Sequence, residues 1–469
     1  MTIDNDQHYL ICSLCGRPTP EGKLYCQYCW TRLYPEDKVS AAEAREYLRR
    51  AEAAAKRKKR NKRIIIIVGS VVLVAAVTLG GLSKYTDVLD KSYPTLNSDS
   101  PAGQWSMFRH DLSHSGAADY GDILPQGQVQ WTFSTGGAIH SSPAIVDGTV
   151  YFGSADGKIY AVDAASGNEK WEHQTESFVL SSPTVIDGVV YIGSNDGRMF
   201  ALDASTGNPI WSFRTPYPVV SSAAVADGIV YFGADDYNLY ALDALTGRKL
   251  WEFQTGHQIA ASPVVANGIV YVGSGDGNLY ALDAKTGKFR LHFTSAPIDA
   301  TAVVRGSNVY FGNFNGYLFV LNGQARNWPW EYDVRPLWIQ LWAMHLAPQP
   351  PQTSGLIWSI KLGQRIESSP ALVNNVLYLG VDDRLVAYDI NSNNTLWSFQ
   401  TGGQINSSPA AVGNTVYIGS DDGKIYAVDA ASGQELWDIT TGDKVTSSPA
   451  IANGILYVGS DDGKLYAIK

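Results

Sequence analysis

Four cysteines, all within the first thirty residues of this 469-residue chain, carry its clearest chemistry: Cys12-Ser-Leu-Cys15 and Cys26-Gln-Tyr-Cys29. Two C-x-x-C pairs about ten residues apart place four thiolates around one tetrahedral ion such as zinc, and Gly16 after the first pair permits the tight turn. Two disulfides or four unligated thiols are the alternatives, and a bridge within either C-x-x-C would be strained. No general base or open coordination position accompanies the four. The expected ion is therefore structural, in a short zinc ribbon over residues 1–38 that has too little core to fold without it.

Other residues offer weaker chemistry. The hydroxyl pairs Ser141-Ser142, Ser181-Ser182 and their later equivalents suggest nucleophiles, but repetition in nearly every unit reads as backbone bonding near an axis. Asp421-Asp422-Gly423 and Asp461-Asp462-Gly463 look like calcium loops without the further spaced carboxylates such loops need, so turn chemistry is expected. His110-Asp111 with His114 is a weak metal candidate in an isolated stretch.

A repeat must position these groups. Trp131, Trp171, Trp211 and Trp251 recur every forty residues, Leu291 holds the fifth place, and the register resumes at Trp358, Trp397 and Trp437. A period of this length, filled with short β-branched and aromatic runs, signals a propeller. Asp147-Gly148 and Asp156-Gly157 close hairpins in the first unit. Asp163, Asp203, Asp243, Asp283, Asp389 and Asp429 open the turns between strands C and D, where a carboxylate can accept backbone N–H groups. Innermost A strands are expected from near Ser141, Ser181, Ser221, Ser262, Thr301, Ser368, Ser407 and Ser447, giving eight blades. The first unit opens on a D strand and the last stops at a C strand, so Val129 to Phe133 is predicted to pair with Leu465 to Ile468 and remove two open edges. The fold class is all-β, an eight-bladed propeller with a small N-terminal ribbon and one transmembrane helix.

The run Y-A-L-D-A-x-T-G-x-x-x-W at Tyr240 to Trp251, with its variants, resembles the PQQ-like repeat family of eight-bladed propellers. Trp105, Arg109 and Gly116 resemble the arm that family places before its first blade, and the likeness spans roughly 101–469. It implies that the repeat tryptophans dock on the neighbouring blade, with Leu291 a departure. The family holds both quinoprotein dehydrogenases and non-enzymatic scaffolds, among them a propeller lipoprotein of outer-membrane β-barrel assembly. Its enzymes bind pyrroloquinoline quinone (PQQ) with calcium in the channel, using inserted loops, a catalytic aspartate and commonly a disulfide of adjacent cysteines. Here the propeller has no cysteine and mostly minimal loops, so quinone and calcium are not expected.

Eight residues after each tryptophan stand Ile139, Val179, Val219, Ile259, Asp299, Ile366, Ile405 and Val445. Seven are apolar and read as core, with Asp299 the exception; by strand alternation their neighbours face the channel mouth. Those neighbours divide unequally. Blades six to eight and one supply Arg365, Glu367, Gln404, Asn406, Lys444, Thr446 and His140, whereas blades two to four supply Phe178, Leu180, Pro218, Val220, Gln258 and Ala260. A mouth so divided suits an amphipathic small molecule or a peptide loop; ordinary variation among solvated loops is the alternative.

The largest departure from the repeat is an insertion at 323–357, between strands C and D of blade five. Its helix is expected to start at Pro336 and read LWIQLWAMHL, apolar nearly all round. Either it packs as a plug under the propeller, or Trp338 and Trp342 form a docking surface.

Residues 39–63 read as a basic helix with Ser40 as N-cap. Residues 64–82 follow, nineteen without a charge or proline and long enough to span a bilayer. The basic run before this span, against Asp87 and Asp90 after it, places the N-terminus in the cytoplasm, where reduced cysteines are at home. Residues 83–104 read as a linker to the propeller at 105–469. Residues 1–63 carry a net charge of +6 and the remainder −15, and an acidic propeller argues against nucleic acid as a partner. The expectation is a single-pass cell-membrane protein with an extracytoplasmic, non-enzymatic propeller that meets a protein partner or an envelope ligand; a quinone-dependent dehydrogenase and a transmembrane sensor are the other readings.

Overall fold

The computed structural model describes residues 3–4, 6–54, 56–57, 104–118 and 124–469. The apolar segment 64–82, the end of the basic run and the linker to residue 103 lie outside the described residues. Among those described, no helix is long and apolar enough to cross a membrane. The chain divides into two units, Met1–Ser83 and Lys84–Lys469.

In the first unit Tyr9–Ile11 is the central strand of a sheet, flanked by Pro18–Pro20 and Lys38–Val39. A helix begins at residue 41. Ser40 caps it as expected, its N–H donating to Glu43 Oε2 at 3.0 Å while its Oγ accepts from the Glu43 N–H. Ala41 and Ala44 bury against Tyr9, the small side chains letting the helix sit close to the sheet.

The second unit consists of eight sheets of four antiparallel strands, one of them extended by Ala117–Ala118. In the first, Ala144–Val146 is innermost, followed outward by Thr149–Gly153, Lys158–Asp163 and Glu169–Gln174. The innermost strands start about three residues later than expected, at Ala144 rather than Ser141, because the hydroxyl pairs before them bond sideways. Each Ser142-type hydroxyl accepts a backbone N–H from the preceding blade. The chain of bonds runs Ser142, Ser182, Ser222, Ser262, Thr301, Ser369, Ser408, Ser448 and back to Ser142, all at 2.9–3.1 Å. This closed circle around the axis makes the array a propeller. The Ser141-type partner turns inward instead, its Oγ accepting the Gly153 N–H of its own sheet.

Val129–Ser134 pairs with Lys464–Ile468, Phe133 opposite Leu465 and Trp131 opposite Ala467, which is the predicted closure. The D-strand tryptophans do dock on the next blade. Trp251 Nε1 donates to the Ala284 carbonyl at 3.0 Å, and its ring lies where a Cβ on Gly287 would sit, 2.6 Å away. Gly287 has φ +68°, so both backbone conformation and close approach exclude a side chain. At the splice no C–D turn exists, and Gly127 and the Pro125 carbonyl receive Trp437 in its place.

Leu291 is the informative exception. The turn it would lean on is replaced by the insertion, and Leu291 is 1% exposed against Gly355. The lost tryptophan and the lost turn are one event. The Tyr271 and Tyr417 hydroxyls record the same interruptions: in five other blades this tyrosine donates to the next C–D turn, as Tyr231 does to Ala284, yet these two are buried without a partner.

The insertion does not plug the underside. Asn327 lies along the outer strand Phe289–Thr294 of the previous blade, its N–H donating to Arg290 O and its Oδ1 accepting from His292 N–H at 2.7 Å. Tyr332 stacks on His292 with ring centroids 3.9 Å apart. It thus covers a sheet edge. Its helix runs Glu331–Ala343, five residues earlier than expected, with Pro336 inside. The Glu331 carboxylate explains the early start, since it accepts Asn327 Nδ2 and the Ser354 N–H at 2.8 Å each.

Candidate functional site

Two sites emerge, one in each unit. In the first, the four thiol sulfurs lie within 4.8 Å of one another, with Cys12 and Cys29 Sγ atoms 3.4 Å apart and Cys15 and Cys26 3.6 Å apart. Thiolates about 2.3 Å from a tetrahedral ion stand at such separations. The backbone repeats itself around them. Cys12 N–H donates to Arg17 O and Gly16 N–H to Cys12 O, just as Cys26 N–H donates to Thr31 O and Trp30 N–H to Cys26 O. Gly16 and Trp30 accordingly share a left-handed φ, +66° and +60°. Spacing pointed to Gly16 but not to Trp30, whose side chain hid the equivalence. Burial pushes the Cys15 thiol up to about 12, while the Thr31 hydroxyl and N–H draw Cys29 down to about 6. The donor set fits a soft tetrahedral cation and supplies all four ligands.

The second site is the axial channel, closed from one side by the arm before the first blade. Carbonyls of Trp105, Ser106, Leu112, Ser113, Ser115 and Gly116 accept the N–H groups of Ile145, Val185, Val265, Val304, Leu372 and Ala411, one on each of six innermost strands. Arg109 is buried within the arm, its guanidinium donating to the Pro409 and Pro370 carbonyls, and burial lowers it to about 9. A Cβ on Gly116 would meet that guanidinium at 2.3 Å, which ties Gly116 to Arg109. His114 is buried beside Phe108 and drops to about 3 through desolvation. Asp111 accepts from Ser115 and sits 3.6 Å from His110 Nδ1. Among the described residues, only the cysteines gather three or more ligand atoms.

What remains of the channel is a well of about 190 Å³ with Phe108 in its lining. Around it stand the ring hydroxyls and, one step outward, His140, Val220, Ala260, Asp299, Glu367, Asn406 and Thr446. Asp299 does not stand in the apolar position expected of it. Its blade is one residue shorter between strands D and A, so Ile298 fills the apolar position, its N–H bonding Ser274 O as Val179 N–H bonds Ser154 O. Asp299 therefore occupies the mouth position of His140 and Glu367. Counting from Leu291 could not reveal a deletion.

Arg365, Gln404 and Lys444 sit on the rim, their carbonyls accepting from Asp382, Asp421 and Asp461 of the facing turns. Arg365 pairs with Glu367 and lies 4.3 Å over the Phe314 ring; Lys444 pairs with Asp421 at 3.0 Å. Burial raises Asp299, Glu367 and Asp461, with Arg365 opposing the shift at the first two and His140 at the third. Thr446 donates to Asp461 at 3.0 Å and meets His140 Nδ1 at 2.8 Å, and Nδ1 is 3.3 Å from the same carboxylate. The next turn aspartates are structural: Asp462 accepts the Gly442 and Lys464 N–H groups and the Tyr466 hydroxyl. Trp338 is half-buried, edge-on to Trp328 with its Nε1 bonded to Pro348 O at 2.9 Å, whereas Trp342 is exposed.

A polyanionic quinone entering without a cation would meet carboxylates here: the walls present Asp299 and Glu367, and the rim guanidinium is already paired with Glu367.

Among solved structures, the chain is similar to the quinohemoprotein alcohol dehydrogenase of Comamonas testosteroni (17% identity, 79% of this chain and 81% of that one, TM-score 0.64). It is likewise similar to BamB from Moraxella catarrhalis (18%, 72% and 96%, TM-score 0.56) and to the computationally designed Ika8 protein (21%, 74% and 99%, TM-score 0.59). At such identities the likeness is one of fold. No curated protein sequence matches. Residues 122–216, 181–339 and 350–468 match the family model described as outer membrane protein assembly factor BamB, and the chain belongs to that family.

Proposed function

We propose that the protein is a membrane-tethered scaffold, with a structural zinc ribbon in the cytoplasm, one span at 64–82 and an eight-bladed propeller outside that binds a ligand or protein partner without turning it over. The observation that carries this reading is the blind well. The chain's own arm closes one end, and the open end sets carboxylates and an imidazole against Val220 and Ala260. Such a divided concave mouth suits recognition. The relatives of this fold include an assembly factor, which supports a protein-binding role. Cytoplasmic placement of the ribbon rests on the basic run before the apolar span.

Sidedness can be tested directly, because the propeller has no native cysteine. Ser392→Cys, in an exposed turn, should react with a membrane-impermeant maleimide in intact spheroplasts, whereas the wild-type thiols should react only after lysis. Protection of Ser392→Cys until lysis would overturn the reading. Cross-linking in whole cells then asks whether a protein is captured through the mouth.

A further inference from the structure

The well has features that a scaffold does not need. Asp299 is half-buried in its wall and makes no hydrogen bond or ion pair among the described residues. Below it lie the eight ring hydroxyls, each no more than 8% exposed. Every one accepts a single backbone N–H, and none donates its own proton to another described residue. Each therefore keeps one lone pair and one proton for whatever enters. Phe108 also lines the well.

We propose that this well takes a single organic cation, an ammonium or guanidinium group on a slender stem, with Asp299 as its counter-charge and the ring hydroxyls as acceptors. Charge decides among ligand classes. An anion would face Asp299 and Glu367. A neutral polyol could donate hydrogen bonds to Asp299 but brings no charge to balance a carboxylate half-buried in the wall. A cation satisfies Asp299 and finds oxygen acceptors around the axis. Neither cation near the mouth contacts Asp299: Arg365 pairs with Glu367 over Phe314, acting on Asp299 only at a distance, and Lys444 pairs with Asp421. The cation's source is either a small amine or a lysine or arginine side chain of a partner, and the chemistry is the same.

This inference deepens the binding role proposed above but makes no use of which side of a membrane the propeller occupies, so either can fail alone. The full chain in detergent is titrated with n-butylammonium, 1-butanol and butyrate, following heat of binding and the propeller's melting midpoint. Butylammonium should bind saturably and raise the midpoint, with the alcohol and the carboxylate inert. Asp299→Asn should weaken the amine at least tenfold while melting no earlier than wild type without ligand, and Glu367→Gln should weaken it less. Equal binding of the alcohol, amine binding unchanged in Asp299→Asn, or no binding of any cation would overturn the proposal. A short peptide ending in lysine that binds more tightly than butylammonium assigns the cation to a protein partner; a free amine that matches or exceeds it assigns a small molecule.

Discussion

The two units of this chain hold themselves together by opposite means. The first unit has only two small clusters among its described residues, Leu10 and Leu33 with Cys12 and Cys26, and Tyr9 with Ala41 and Ala44, so much of its order converges on the four sulfurs. The propeller spreads the same task over many equivalent bonds: eight hydroxyls on the axis, a tryptophan or leucine on each outer strand, an arm bonded to six inner strands. Concentrated order fails at once when its centre is removed. Distributed order fails by increments.

Metal removal gives the largest contrast. On the proposed reading, in which the four sulfurs hold zinc and its binding free energy is folding free energy, a strong chelator, or Cys12→Ser with Cys26→Ser, should abolish protected amides over residues 6–54 and leave the propeller's melting unchanged. Persistent protection after metal loss would show that the cysteines are not the centre. Next comes Trp251→Ala, which empties the seat on Gly287 and should cost about 3–5 kcal/mol in a denaturant titration. A loss as complete as that expected of the first unit would deny that blade seams act independently. Ser222→Ala should cost about 1 kcal/mol, since it strips one bond from a ring that keeps seven.

Asp299→Asn should give the smallest change and the opposite sign. Burial raises this carboxyl, so its ionised form weighs against the fold at neutral pH. The variant should be slightly more stable than wild type at pH 7, and the difference should shrink as pH falls through the raised value and vanish below the ordinary 3.8. Denaturant midpoints of both proteins at several pH values give the measure.

Much of the propeller was legible because it is written eight times. The tryptophan period, the Asp-Gly turns and the pairing of residues 129–134 with 464–468 all follow from repetition or from its interruption. The four-cysteine cluster was legible from spacing alone. What escaped was singular. The arm's part in closing the channel depends on carbonyls, which no side chain announces; Arg109 and Gly116 hinted at it only through resemblance. Asp299 was misplaced because a deletion in one loop leaves the tryptophan count intact. The insertion helix started early because Glu331 finds partners both before and after the helix, Asn327 and Ser354, a link invisible to local propensity.

The strand Val129–Ser134 has a consequence for how the chain is made. Its neighbour in the sheet lies at the other end of the propeller, as the bond from Thr135 to Gly463 across 328 positions shows. A ribosome therefore releases this strand early and must synthesise every other blade before its mate emerges. Throughout that interval the nascent chain carries an unsatisfied β-edge. Shielding by a chaperone during biogenesis would matter more for these six residues than for any stretch within a blade.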